Sequence, residues 1–109
     1  MAYEERVAAR LRRVLADTED VVERKMFGGL AFMVAGHMCC GAIDDSLLAR
    51  VGPDQYAAAL ARPHAREMDF TGRPLRGFVY VGPAGFANAR ALRSWLRLCL
   101  EFVHSLPPK

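Results

Sequence analysis

Two histidines and a pair of adjacent cysteines carry the chemistry most suited to metal binding or nucleophilic catalysis. His37, Cys39 and Cys40 lie within one short segment, and His64 follows in another. Imidazole and thiolate are common zinc ligands, and a histidine can activate a cysteine nucleophile. On a regular strand His37 and Cys39 share a face, whereas adjacent cysteines point to opposite faces and could ligate one metal together only across a bulge. No C-x₂-C spacing is present, so we predict packed structural cysteines, with a metal or small-ligand site at His37, Cys39 and His64 as the alternative.

A second polar set, Arg50, Arg66 and Asp69, could contact a ligand or a partner. The acidic pair Asp44-Asp45 could bind a cation, but aspartate is common in turns for backbone reasons, and a solvated turn is predicted here. We therefore predict no catalytic residue, no metal and no cofactor, and a protein that is not an enzyme.

Three arginines of the last predicted helix, Arg90, Arg93 and Arg97, are spaced to form one stripe. The net charge is only +3, but residues 62–109 contain eight basic and three acidic side chains, whereas residues 1–61 contain seven and nine. The second half could therefore contact an acidic partner. Direct nucleic-acid binding is the weakest interpretation, because neither a dense basic patch with aromatics nor a helix-turn-helix is evident.

The stretch KMFGGLAFMVAGHMCCG, which begins at Lys25, predicts the β-hairpin around which the fold is organised. Its apolar arms, 30–34 and 37–43, are joined at Ala35-Gly36, because glycine permits the positive φ that tight turns need. Small or apolar side chains occupy both faces, so we expect the outer face of the sheet to be partly covered too.

Helical periodicity predicts an amphipathic first helix over 3–16, a short helix that begins at Pro53, and a last helix from the N-cap Asn88 to about His104. The order α-β-β-β-α-β-β-α predicts a two-layer α+β domain with an antiparallel five-stranded sheet. Besides the hairpin arms, extended segments are predicted at 22–27, 47–51, 66–70 and 76–81.

The last helix carries two apolar stripes side by side, which is more than one intramolecular face usually needs. Trp95, Leu98 and Phe102 form the second stripe, and aromatic anchors are enriched at protein interfaces. These three residues predict a homodimer or partner interface.

The composition predicts one domain over residues 1–109. No apolar run approaches the roughly 20 residues of a membrane-spanning helix, and the acidic N-terminus has no signal-like apolar region. We therefore expect a cytoplasmic protein without membrane contact. Three cysteines without a disulfide framework predict reduced thiols.

The hairpin sequence, RVGPDQY from Arg50 and RPHAREMDFTGRPLRGFVYV from Arg62 together resemble the N-terminal domain of the TfoX/Sxy family of bacterial competence regulators. The resemblance covers nearly the whole chain. It implies a two-layer α/β domain like that of secretion chaperones.

The resemblance also implies a function. Longer members of the family carry a second, C-terminal helical domain and act as transcription coactivators with the cyclic-AMP receptor protein, without catalysis. A stand-alone N-terminal domain is expected here, acting through protein contacts that could include transcription machinery. Arg50, His64, Arg66 and Asp69 are the polar positions of the shared motif, and the resemblance assigns them no catalytic role.

Overall fold

The predicted hairpin forms the centre of the sheet. The structure is a computed structural model and describes residues 3–26, 28–69, 72 and 75–107. Strands β2, Gly29–Val34, and β3, His37–Ile43, pair antiparallel. Ala35 and Gly36 connect them with φ values of 52° and 85°. Two successive left-handed residues are typical of the type I′ turn, whose twist matches that of the flanking strands.

Three α-helices and one 3₁₀ turn accompany the strands. The last helix begins after Asn88, whose side-chain oxygen accepts a hydrogen bond from the Ala91 N–H at 2.8 Å, so the predicted N-cap is confirmed. The other elements are α1 Glu5–Val14, β1 Val21–Met26, β4 Ser46–Arg50, α2 Tyr56–Leu60, β5 Ala65–Glu67, β6 Phe78–Val81, the 3₁₀ turn Pro83–Phe86 and α3 Ala89–His104.

The sheet has six strands in the order β1-β2-β3-β4-β6-β5, and every neighbouring pair is antiparallel. The α+β class is confirmed, but the predicted count of five strands is one too low. Four strands precede α2. The sequence patterns indicated four extended segments there, but the predicted order of elements included only three strands before the second helix. Residues 27 and 70, which ended two predicted strands, lie outside the described residues.

A β-bulge interrupts the centre of the hairpin. Phe32 pairs with Cys40 and Met33 pairs with Met38, so Cys39 is the extra residue of β3. A bulge of this kind places two residues of one strand opposite a single residue of the other. Consequently Cys39 and Cys40 both pack in the core between the sheet and the helices, and the expectation that they point to opposite faces is wrong.

Helices α1 and α3 cover one face of the sheet. Their apolar sides bury Leu11, Trp95, Leu96 and Cys99 against strand residues such as Phe32. Burial of this apolar surface is the main stabilising contribution to the fold.

The opposite face of the sheet is partly covered, as predicted. Ala31, Met38 and Leu48 are buried there beneath Met68, which lies in the connection between β5 and β6 and is 0% exposed. The Leu75 N–H donates to the Met68 carbonyl at 2.9 Å and closes this connection over the sheet. Among the described residues, no helix has the length and apolar character needed to cross a membrane.

Candidate functional site

The Arg50 side chain contacts other elements of its own fold. Its guanidinium lies 5.4 Å from the ring centroid of Phe78 and 5.2 Å from that of Phe102, and Nη1 donates to the Met38 carbonyl at 3.2 Å. That carbonyl precedes the bulge at Cys39, where the regular ladder is interrupted. Arg50 therefore ties β4 to β3, β6 and α3.

His64 is a turn residue. Its φ of 68° lies in the left-handed region, where histidine is enriched among residues other than glycine. The His64 carbonyl accepts a hydrogen bond from the Gly82 N–H at 2.9 Å, and its side chain is exposed. The backbone contact holds the turn before β5 against the end of β6.

Arg66 and Asp69 lie around Tyr80, a residue that no sequence pattern indicated. The Arg66 guanidinium is 4.9 Å from the Tyr80 ring centroid. Partial burial raises the pKa of Tyr80, Arg66 opposes this rise, and the carboxylates of Asp44 and Asp69 add to it. Only the register of β5 and β6, which places Arg66 opposite Tyr80, could have identified this group.

His37 and His64 do not share a site. β3 and β5 are separated by two strands, which corresponds to roughly 14 Å at ordinary strand spacing. His37 Nε2 donates to the Pro107 carbonyl at 2.6 Å, so this nitrogen holds the segment after α3. Within the described chain, no group of three or more histidine, cysteine, aspartate or glutamate side chains could hold a metal ion, and the alternative metal site is not supported.

Trp95 is a core residue rather than a surface anchor. It is 1% exposed, its Nε1 donates to the Gly85 carbonyl at 3.2 Å, and the Arg62 guanidinium lies 4.0 Å from its ring centroid. Arg62 also donates to Ser94 Oγ at 3.0 Å. The side chain that was predicted to contact a partner is therefore covered by its own chain.

Leu98 and Phe102 are partly buried on another side of α3. They border a recess of about 190 Å³ with Val51 and Gln55. Phe102 packs on Gly52, where an added Cβ would lie 2.3 Å from the ring. Their role at an interface stays a prediction.

A larger apolar depression, which we call the helix groove, lies between α1 and α3. Its volume is about 490 Å³, and its apolar residues are Val14, Leu96 and Leu100. Arg93 and Arg97 border it, and both are exposed. Glu101 and His104 complete the lining.

An acidic recess of about 410 Å³ adjoins the helix groove. Asp17, Glu19 and Asp20 line it, and His104 borders both depressions. Across the described residues, none of these three carboxylates and neither of the groove arginines forms an ion pair. Unneutralised charges of opposite sign therefore flank one apolar depression.

The family comparison agrees with this architecture. Residues 13–103 match the TfoX N-terminal domain. The chain belongs to the TfoX N-terminal domain family. The match includes all six strands, α2 and all of α3 except its last residue, and it therefore confirms the predicted resemblance. No curated protein and no solved structure matches the chain.

In this TfoX N-terminal domain, the matched region includes Val14 and every α3 residue of the helix groove except His104. The acidic recess lies within the same region, again apart from His104. Both depressions thus belong to the part of the chain that carries the family match.

Proposed function

We propose that this TfoX N-terminal domain is a non-enzymatic regulatory domain that acts through protein contacts and associates with a second copy of itself at the helix groove. The observation that carries the proposal is the apolar groove with a basic border on one side and an acidic recess on the other. The resemblance to competence coactivators supports regulation by contact, including contact with transcription machinery.

Charge complementarity favours a second copy as the occupant. In a two-fold dimer, the basic border of one protomer can face the acidic recess of its partner. The symmetry then repeats this contact, with the roles of the two protomers exchanged. Arg93 and Arg97 of one protomer would face Asp17 and Glu19 of the other, with the partly buried Val14 and Leu100 enclosed between them. Opposite charges at the rim of an apolar contact orient the partners and speed association.

Light scattering on the purified chain tests this arrangement. We expect the mass of a dimer, and a dissociation constant at least about tenfold higher for the double variant Arg93→Glu, Arg97→Glu, because like charges would then face each other. Arg90→Glu is the control, since it makes the same kind of substitution, at one position, on the same helix outside the groove. A monomeric wild type, or equal weakening by the control, contradicts the proposed interface.

A charge exchange provides a second test. The variant Asp17→Arg, Glu19→Arg should likewise associate more weakly than the wild type when it is alone. Mixed with the Arg93→Glu, Arg97→Glu variant, it should form a one-to-one dimer, because every acidic side then meets a basic side. Absence of the mixed dimer overturns the two-fold pairing.

Phosphate binding by the arginine stripe is the competing outcome. Retention on duplex DNA would fall steeply with salt if arginines neutralised phosphates. Such retention, lost in the Arg93→Glu, Arg97→Glu variant while the oligomeric state is unchanged, would replace the protein-contact proposal.

A further inference from the structure

An apolar recess, which we call the turn recess, lies between the beginning of α1 and the 3₁₀ turn. Its volume is about 380 Å³, within the range of roughly 300–1,000 Å³ that is typical of small-molecule sites. Its apolar walls are Val7, Pro83, Phe86 and Ala87. Within the described chain, no residue lines both this recess and the helix groove, so the turn recess is a separate candidate for binding.

Hydrogen bonds hold the walls of the turn recess together. The Glu4 N–H donates to the Asp44 carbonyl at 2.8 Å, which joins the beginning of α1 to the turn between β3 and β4. Phe86 is buried in the core, and Trp95 Nε1 donates to the neighbouring Gly85 carbonyl at 3.2 Å. The recess is therefore formed before a ligand binds, and such preorganisation lowers the entropic cost of binding.

Arg10 lines this recess and is held in a fixed orientation. Its Nη2 donates to the Phe86 carbonyl at 2.7 Å and to the Ala87 carbonyl at 3.3 Å, and the guanidinium lies 5.4 Å from the Phe86 ring centroid. Further N–H donors remain at Nε and Nη1, and within the described residues neither nitrogen has a hydrogen-bond partner. No buried side-chain nitrogen of the described chain lacks a partner, so both nitrogens are open to solvent and to a ligand.

The other charged residues of the turn recess do not neutralise Arg10. Glu4 forms an exposed ion pair with Arg6 at 3.7 Å. Asp45 is exposed and accepts a hydrogen bond from Ser46 Oγ at 3.1 Å, so its charge is stabilised by solvent and by its neighbour. Arg10 is partly buried and, among the described residues, forms no ion pair. Because burial reduces screening, this positive charge beside apolar walls favours an anion that has an apolar body.

We propose that the turn recess binds a small free carboxylic acid with an apolar chain, such as a medium-chain fatty acid. Its carboxylate accepts a hydrogen bond from the remaining donors of Arg10, and its hydrocarbon chain lies against Val7, Pro83 and Ala87. The apolar contacts provide most of the affinity, whereas the guanidinium selects a carboxylate over an uncharged group. This binding is separate from the protein contact proposed at the helix groove.

Titration of the isotope-labelled full chain with octanoate, followed by two-dimensional NMR, tests the inference. Octanol is the matched probe, because it has the same chain length and no charge. We expect saturable shifts at the Arg10 Nε–H and the Ala87 amide, and a dissociation constant at least about tenfold lower for octanoate than for octanol, because only octanoate forms a charge-assisted hydrogen bond. Absence of saturable shifts, equal affinity for the two probes, or shifts confined to the helix groove would overturn the inference.

Three variants locate the binding. Ala87→Phe places a bulky ring in the turn recess and keeps the carbonyls that hold Arg10, so octanoate should bind at least about tenfold more weakly for lack of room. Ala84→Phe, the matched control, makes the same substitution at an exposed position of the 3₁₀ turn outside the recess and should bind octanoate like the wild type. Arg10→Gln should lose the preference for octanoate over octanol. If Arg10→Gln does not fold, the two probes on the wild type decide alone, and equal affinities of the Ala87→Phe and Ala84→Phe variants contradict the proposed site.

Binding at the turn recess and association at the helix groove can fail separately. The Arg93→Glu, Arg97→Glu variant should bind octanoate with the affinity of the wild type, since neither arginine lines the turn recess. Loss of octanoate binding in this variant would place the ligand at the helix groove and overturn the inference.

Discussion

The guanidinium of Arg50 occupies the space between the rings of Phe78 and Phe102 and donates to the carbonyl of Met38. Its aromatic neighbours belong to β6 and α3, and its carbonyl partner belongs to β3. A single side chain therefore joins four elements at the point where the bulge interrupts the ladder. Among the described residues, Arg66 makes one comparable contact, with Tyr80, and is exposed.

Replacing Arg50 and replacing Arg66 should lower the free energy of unfolding by different amounts. We expect Arg50→Ala to lower the free energy of unfolding by about 1–3 kcal/mol, because it removes two cation–π contacts and the partner of a part-buried carbonyl. Arg66→Ala should cost less than about 1 kcal/mol, since its contact is exposed. Urea unfolding measures both, and equal losses would contradict the structural role of Arg50.

Residue types alone could not distinguish these roles. Arg50, His64, Arg66 and Asp69 are the polar positions of the shared motif, and two of them, Arg50 and His64, make hydrogen bonds that hold the backbone. Trp95 was selected because the last helix has excess apolar surface. Whether an aromatic side chain faces the core or a partner depends on the groups that cover it. Trp95 is covered by the Arg62 guanidinium, which is distant in sequence, and by the Gly85 carbonyl, which lies in the 3₁₀ turn before α3.

Helix α1 is joined to the edge strand β1 by an ion pair. Arg12 Nε and Nη2 donate to the two carboxylate oxygens of Glu23 at 2.6 and 2.8 Å. The hydrogen bonds from Arg12 lower the pKa of Glu23 below its ordinary value of 4.5. Both side chains are more than a third exposed, so solvent screens the pair and its contribution is less than about 1 kcal/mol.

This pair contributes to the pH dependence of stability. Since the pKa of Glu23 is lower in the folded chain, its contribution is complete above about 4.5 and is lost as the pH falls through the lowered value. Glu23→Gln should therefore reduce the difference in urea midpoint between pH 7 and pH 3. Asp54→Asn, at an exposed carboxylate without an ion pair among the described residues and outside the helix groove and acidic recess, is the control and should leave that difference nearly unchanged.

Local patterns predicted the elements better than their irregularities. The hairpin arms, its turn and the Asn88 N-cap depend on neighbouring residues, and the structure confirms them. The bulge at Cys39 could not be predicted, because it depends on how β3 pairs with β2 and packs under α3. For the same reason the strand predicted at 66–70 is only Ala65–Glu67, since the chain then leaves the edge of the sheet and Met68 packs across its outer face.

At the scale of the molecule, the sheet has an apolar layer on each side. Two long helices form one layer, whereas the connection from β5 to β6 forms the other with Met68 and Leu75. The prediction of a partly covered outer face was correct, but periodicity could not indicate that a loop residue provides the cover.

Met68 should therefore behave as a core residue despite its position in a loop. We expect Met68→Ala to lower the free energy of unfolding by about 2–5 kcal/mol, as large-to-small substitutions in cores do. Met33→Ala is the control on the same face, and its cost should be smaller because Met33 is only partly buried. Thermal and urea unfolding measure both, and the reverse ranking would contradict this description of the outer face.

The two margins of the open sheet bear on how the protein behaves at high concentration. The β1 margin presents Glu23, Arg24 and Lys25 to solvent, and the β5 margin is only three residues long. Charged or very short margins disfavour the addition of a strand from another molecule. These two features disfavour growth into β-linked fibres, even though Val22, at 55% exposure, lies on the outermost strand.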